Sequence, residues 1–151
     1  MTTEIEEAVT EPERCAILVD AALPAGKAAN AAAVIALTLG KRHPHLAGSD
    51  LVDASGYAHP GLIPIGISIL AGAAADLRDV RAKALKNGID VMDFPSQGQQ
   101  TTDYAEFGLR VREVLTEDLS YVGIGLYGKR KSVGRIVGKF SLLERTEGTP
   151  R

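Results

Sequence analysis

Gly26 and Lys27 open a long apolar run, and Asn30 follows three positions later on the same helical face. A helix start offers unpaired N–H groups and the positive end of its dipole, so Gly26 and Lys27 together suit an anion. Asn30 is the one amide in the apolar run, and it either meets a backbone group from a facing loop or points into a site with Lys27. A second polar set, Ser96-Gln97-Gly98-Gln99-Gln100-Thr101-Thr102, supplies amides and hydroxyls without a charge. Such a loop can bind and position, but nothing in it ionises to serve as a general base. A third set is basic: Lys129, Arg130, Lys131, Arg135 and Lys139. Three of these fall at or just before the start of the last helix, the end that disfavours cations, so a phosphate held there by a glycine turn, helix N–H groups and cations would compensate them. The competing reading is an exposed, screened charge run.

Other constellations carry less. Gly123-Ile124-Gly125-Leu126-Tyr127-Gly128 formally matches a dinucleotide fingerprint, with Glu144 as a ribose-binding acid, and so keeps a dinucleotide-binding oxidoreductase as a rival reading. It stands near the end of the chain, where a Rossmann domain would have it near the beginning, and the simpler expectation is a sharp turn with close backbone packing. A phosphate loop of the Walker type fails, since Ala21 and Ala28 stand where it needs glycine and a hydroxyl. His43, His45 and His59 with Asp50 and Asp53 offer metal-ligand atoms without a complete ligand spacing, so no metal site and no cofactor is predicted. Cys15, alone in an apolar run, reads as a small core residue.

These residues need elements to position them. Cys15–Val19 is an unbroken apolar run, as in a strand covered on both faces, and an alanine-rich helix follows Lys27, ending at Gly40. Residues 43–60 are a turn-rich surface excursion, with brief strand pairing expected at Leu51–Val52. A strand over Ile63–Leu70, with Gly72 turning the chain, leads to a helix from Ala74 to Asn87 that buries Leu77, Val80, Ala84 and Leu85. Ile89–Phe94 is a third strand. Asp103 with Glu106 resembles a capping box opening a helix whose buried stripe is Tyr104, Phe107, Val111, Val114 and Leu115. Leu119–Ile124 is a fourth strand, Ser132–Val137 a short helix and Lys139–Glu144 a last strand. Alternating strands and helices predict a single-domain α/β layered fold, with a mixed, mostly parallel sheet flanked by helices.

A chain of 151 residues with 45% hydrophobic and 24% charged residues fits one soluble domain. The expected division is an acidic, disordered tail over 1–13, a domain over 14–144 and a flexible tail over 145–151. The formal charge of −2 hides an asymmetry: residues 1–13 hold five acids and no Lys or Arg, which leaves the rest mildly basic. An alternative role for the acidic leader is to fold back over a basic site. No apolar run is long enough to span a bilayer, and no secretory signal opens the chain, so the expected location is cytoplasmic. One cysteine, which allows no internal disulfide, agrees.

Ala28-Ala29-Asn30, the order of the middle elements, and the run from Tyr121-Val122-Gly123-Ile124-Gly125 through Val137-Gly138-Lys139-Phe140-Ser141-Leu142-Leu143 resemble the type II peptidyl-tRNA hydrolase superfamily. Leu23-Pro24-Ala25-Gly26, Ala28 to Val34, Leu39-Gly40-Lys41-Arg42 and His59-Pro60-Gly61 are similar, more closely, to a bacterial family within it, domain of unknown function 2000. The resemblance implies a type II peptidyl-tRNA hydrolase-like α/β fold and a site beside the first helix that cleaves the ester joining a peptide to tRNA. Aligned on Ala28-Ala29, the hydrolase family's glutamine falls on Asn30, its histidine on Ala33 and its lysine on Gly26, with Lys27 beside it; Ser96 to Gln100 replace its aspartate-bearing loop.

The expectation is therefore a binding or regulatory module that takes an anionic small molecule or an RNA phosphate in a polar cleft beside the first helix. Its ligand-binding candidates are Gly26, His59, Ser96, Gln97, Gly98, Gln99, Lys129, Arg130 and Lys131. The alternative is an aminoacyl-ester hydrolase with altered residues, in which Lys27, Asn30 and Thr101 position water. Partners would be the small anion or tRNA, with no membrane; a homodimer is compatible with either reading.

Overall fold

The computed structural model describes residues 11–144. β1 (Glu13–Asp20) is flanked on both edges and covered on both faces, which is why Cys15 to Val19 are all buried. A tight turn, closed where the Ala22 amide donates to the Asp20 carboxylate, leads into α1 (Ala25–Arg42). The chain then makes a 3-10 turn (Pro44–Leu46) and a small hairpin of β2 (Leu51–Val52) and β3 (Ala58–His59). It returns as β4 (Ser68–Gly72), α2 (Ala74–Lys86) and β5 (Asp90–Pro95). A 3-10 turn (Ser96–Gln99) precedes α3 (Tyr104–Arg112), and another (Thr116–Asp118) precedes β6 (Tyr121–Lys129), α4 (Arg130–Val137) and β7 (Ser141–Leu142).

The architecture is α/β in three layers within one domain. The five-stranded sheet has the order β5-β6-β1-β4-β7. On one face, Ala28, Ala31, Ile35 and Leu39 of α1 meet Ile17, Val19 and Phe94; on the other, Leu77 and Val80 of α2 and Val133 and Val137 of α4 meet Leu18, Ile124 and Leu126. The sheet is mixed but not mostly parallel, because only β1 and β4 pair in parallel while β1·β6, β5·β6 and β4·β7 are antiparallel. β1, β4 and β5 do run the same way, as helical crossovers require. β6 enters between β1 and β5 in the opposite direction, which alternation of strand and helix along the chain does not specify.

Several boundaries move for physical reasons. Gly40 lies inside α1, which continues to Arg42 and ends where the His43 amide donates to the Leu39 carbonyl. The fourth strand runs on through the whole Gly-Ile-Gly-Leu-Tyr-Gly segment, so no turn stands there. Gly123 and Gly125 instead let α1 approach the sheet, since a Cβ at either would run into Ile35. Gly72 ends β4 rather than turning the chain, and sits against Phe140 and Leu18. Tyr104, Leu115 and Leu85 are exposed, against the expected stripes; α3 has no fully buried residue, because it covers the sheet edge rather than its centre. Leu51–Val52 pairs as expected, in a hairpin whose Asp53 accepts from the Ser55 and Tyr57 amides at 2.9 and 3.1 Å. Gly61 passes so close to Gly48 at the hairpin's base that any side chain there would strike backbone.

Candidate functional site: the cleft between α1 and α3

Gln99 joins the two polar segments singled out in the sequence. Its Nε2 donates to the Lys27 carbonyl at 2.8 Å and to the Asn30 Oδ1 at 3.2 Å, so the 96–102 loop is clasped to the first turns of α1. The loop can lie this low because Gly98 rests on the rings of Phe94 and Phe107. Asp103 caps α3 by accepting from the Ala105 and Glu106 amides at 2.9 and 3.1 Å. Glu106 does not complete a capping box. Its carboxylate accepts from Thr101 Oγ1 at 3.0 Å and from Arg110 at 2.7 Å, and Arg110 first, then Thr101, hold its pKa below the usual range.

Between α1 and α3, over β5, runs a groove of about 390 Å³. Val34, Ile35, Met92, Phe94, Phe107 and Val111 give it apolar walls, and Thr38 and Asp93 add polar atoms. A smaller recess of about 240 Å³ shares Val34, Phe94, Tyr104 and Phe107 with it and adds Asn30, Thr101, Thr102 and Asp103. Tyr104, 87% exposed, stands where the two meet. Such a cleft combines apolar area for a ligand body with a few hydrogen-bonding groups that orient one end. The sequence points to the polar end. The apolar groove is legible in it only as the aromatic residues Phe94, Tyr104 and Phe107, which read equally well as core.

Of the residues named from sequence, Asn30, Gly98 and Thr101 line the recess, and Gln99 is hydrogen-bonded to Asn30 and to the Lys27 carbonyl beside it. Gly26 lies exposed at the start of α1, while the Ser96 amide donates to the Ser120 carbonyl and Gln97 keeps its Oε1 buried. His59 is not joined to them: its Nε2 lies 2.9 Å from Asp53 within the small hairpin. Lys129, Arg130 and Lys131 lie at the start of α4, in the helix layer on the opposite face of the sheet from α1. No glycine turn cradles a phosphate there. The Arg130 amide donates to the Pro12 carbonyl at 2.8 Å, and Lys129 forms an exposed pair with Glu11 at 3.0 Å, so the start of α4 meets the segment before β1.

The histidines separate. His43 Nε2 lies 2.6 Å from Asp90, which also takes both arms of Arg42, and His45 Nε2 lies 3.2 Å from the Tyr127 hydroxyl. Among the described residues no three His, Cys, Asp or Glu side chains converge as a metal site would need. Burial first, then Glu13, pushes the Cys15 thiol up to about 11, which keeps it protonated and inert at neutral pH. With Gly123 to Gly128 inside β6, the dinucleotide reading loses its pyrophosphate turn.

The family model for a protein of unknown function, DUF2000, matches residues 13–144. The chain belongs to this family. No curated protein matches it. Among solved structures, this DUF2000 chain is similar to a protein of unknown function, Atu0240, from Agrobacterium tumefaciens strain C58. The TM-score is 0.79 at 18% identity, over 86% of this chain and 96% of that one. At that identity the likeness speaks for the fold alone. No helix among the described residues is long and apolar enough to cross a membrane.

Proposed function

We propose that this DUF2000 protein is a binding module whose α1/α3 cleft takes a small molecule with an apolar body and a hydrogen-bonding, acidic end. The observation that carries the reading is the junction of the 390 Å³ apolar groove with the recess holding Asn30 and Thr101. The body lies on Phe94 and Phe107, and the polar end meets the Asn30 amide and Thr102. Asp103 also lines the recess, with its carboxylate engaged by the Ala105 and Glu106 amides, and Lys27, outside the lining at the start of α1, supplies the cation that favours an acidic end. The test is native mass spectrometry of the freshly purified chain, joined to amide-shift titration with N-octanoylglycine. A retained small mass, or saturable shifts over α1, β5 and α3 that Val34→Trp abolishes by filling the groove, supports the reading. Neither a retained mass nor a saturable shift would sink it.

The second reading is an ester hydrolase on a type II peptidyl-tRNA hydrolase-like fold, favoured by the clasp of Gln99 on Lys27 and Asn30 beside the first helix. Thr101 is already committed between Glu106 and the Asp103 amide, and a carboxylate held low by Arg110 is a weak base. Binding without turnover is therefore the better supported. Release of peptide from peptidyl-tRNA, lost in Lys27→Ala/Asn30→Ala, would reverse that order.

A further inference from the structure

On the other face of the sheet, α2 and the Thr116–Asp118 turn border a second, open recess of about 420 Å³, with Tyr121 at its inner end. We propose that this recess binds a small oxyanion, a carboxylate or phosphate group, which accepts a hydrogen bond from the Tyr121 hydroxyl and is held by Arg78 and Arg81. Tyr121 is 4% exposed, and its ring is fixed among Val80, Leu119 and Ile124. Its hydroxyl is buried and has no hydrogen-bond partner among the described residues, although it lines an open recess. Buried hydroxyls are normally paired, so an unspent one facing a cavity with two guanidinium groups marks a place for an acceptor.

The arginines have donors to spare. Arg81 lies 5.4 Å from the centre of the Tyr121 ring and gives its Nε to Asp93 at 2.6 Å, which fixes the guanidinium and leaves its terminal nitrogens uncommitted. Arg78 gives one terminal nitrogen to the Glu117 carbonyl. The carboxylates of Asp79 and Glu117 also line the recess and are exposed, as Arg78 is, while Asp93 pairs with Arg81. The inner end therefore offers the Tyr121 hydroxyl and the terminal nitrogens of Arg81, and Arg78 reaches in from the rim. Guanidinium forks match carboxylate and phosphate oxygens, and a partly desolvated site strengthens that pairing. Burial pushes the Tyr121 pKa up, so the phenol keeps its proton and donates.

The experiment is titration of the full chain with inorganic phosphate and, separately, with succinate, at constant ionic strength, followed by amide shifts. The expected result is saturable shifts over 78–82 and 116–121 with one or both anions, about tenfold weaker in Tyr121→Phe, which removes only the hydroxyl. Arg78→Gln, at an exposed position, is the second variant and carries the test by itself where Tyr121→Phe does not fold. Phosphate alone, succinate alone or both would identify the oxyanion class. No saturable shift with either anion overturns the proposal, as does an affinity unchanged in every variant that folds. Ligand binding in the α1/α3 cleft is independent of all these outcomes.

Discussion

Gly98 carries more of the cleft than its lack of a side chain suggests. A methyl there would run into the rings of Phe94 and Phe107, the same rings that form the groove's walls. Either the rings turn into the groove or the loop lifts, which breaks the bond from Gln99 to the Lys27 carbonyl. Gly98→Ala is expected to cost about 1–3 kcal/mol in urea unfolding, as overpacking does, and to weaken ligand retention. Gln99→Ala should cost only about 1 kcal/mol, since it removes one clasp and leaves the rings in place. A Gly98→Ala protein as stable as the wild type would show that the loop does not rest on the rings. Lys27, Asn30 and the 96–102 loop were legible in the sequence because polar residues interrupt apolar surroundings there. The groove was not, because periodicity marks Phe107 and Val111 as apolar without saying whether another element covers them.

β6 shows the same limit at the scale of an element. Three glycines in the spacing of a nucleotide turn are also what a strand needs where a helix lies against it, and here the helix decides. Ile35 of α1 occupies the space that side chains at Gly123 and Gly125 would take. Gly125→Ala is expected to lower stability by about 2 kcal/mol through overpacking, and Ile35→Ala by about 3 kcal/mol through the cavity it leaves. The two changes oppose each other in volume, so the double variant should cost clearly less than their sum. Additive losses in denaturant melts would place the strain elsewhere. The buried strand of β1 and the alanine face of α1 could be read from composition. The insertion of β6 between β1 and β5 could not, because it rests on antiparallel pairings between residues far apart in the chain, which leave no local pattern.

Across the whole molecule, Asp90 joins parts that the sequence keeps apart. It starts β5, takes both arms of Arg42 at the end of α1, and bonds His43, whose ring lies 4.3 Å from that of Tyr127 in β6. Partners 47 and 48 positions away leave no local pattern, which is why the sequence offered His43 only as an unassigned ligand atom in a surface excursion and not as a partner of Asp90. The bond from Arg42 chiefly, with help from His43 and against partial burial, holds the Asp90 carboxyl below its ordinary value. In the window between that lowered value and an unfolded-state value of about 3.9, the unfolded chain binds more protons than the folded one. Asp90 therefore stabilises the fold fully above the unfolded value, and that contribution is lost as pH falls through the folded one. Thermal midpoints should drop on acidification below about pH 4, more steeply in the wild type than in Asp90→Asn, which has no carboxylate to titrate. The variant should be the less stable protein at neutral pH and should converge with the wild type in acid. Parallel midpoint curves, offset by a constant amount down to about pH 2.5, would show that Asp90 contributes by shape and hydrogen bonding alone, without its charge.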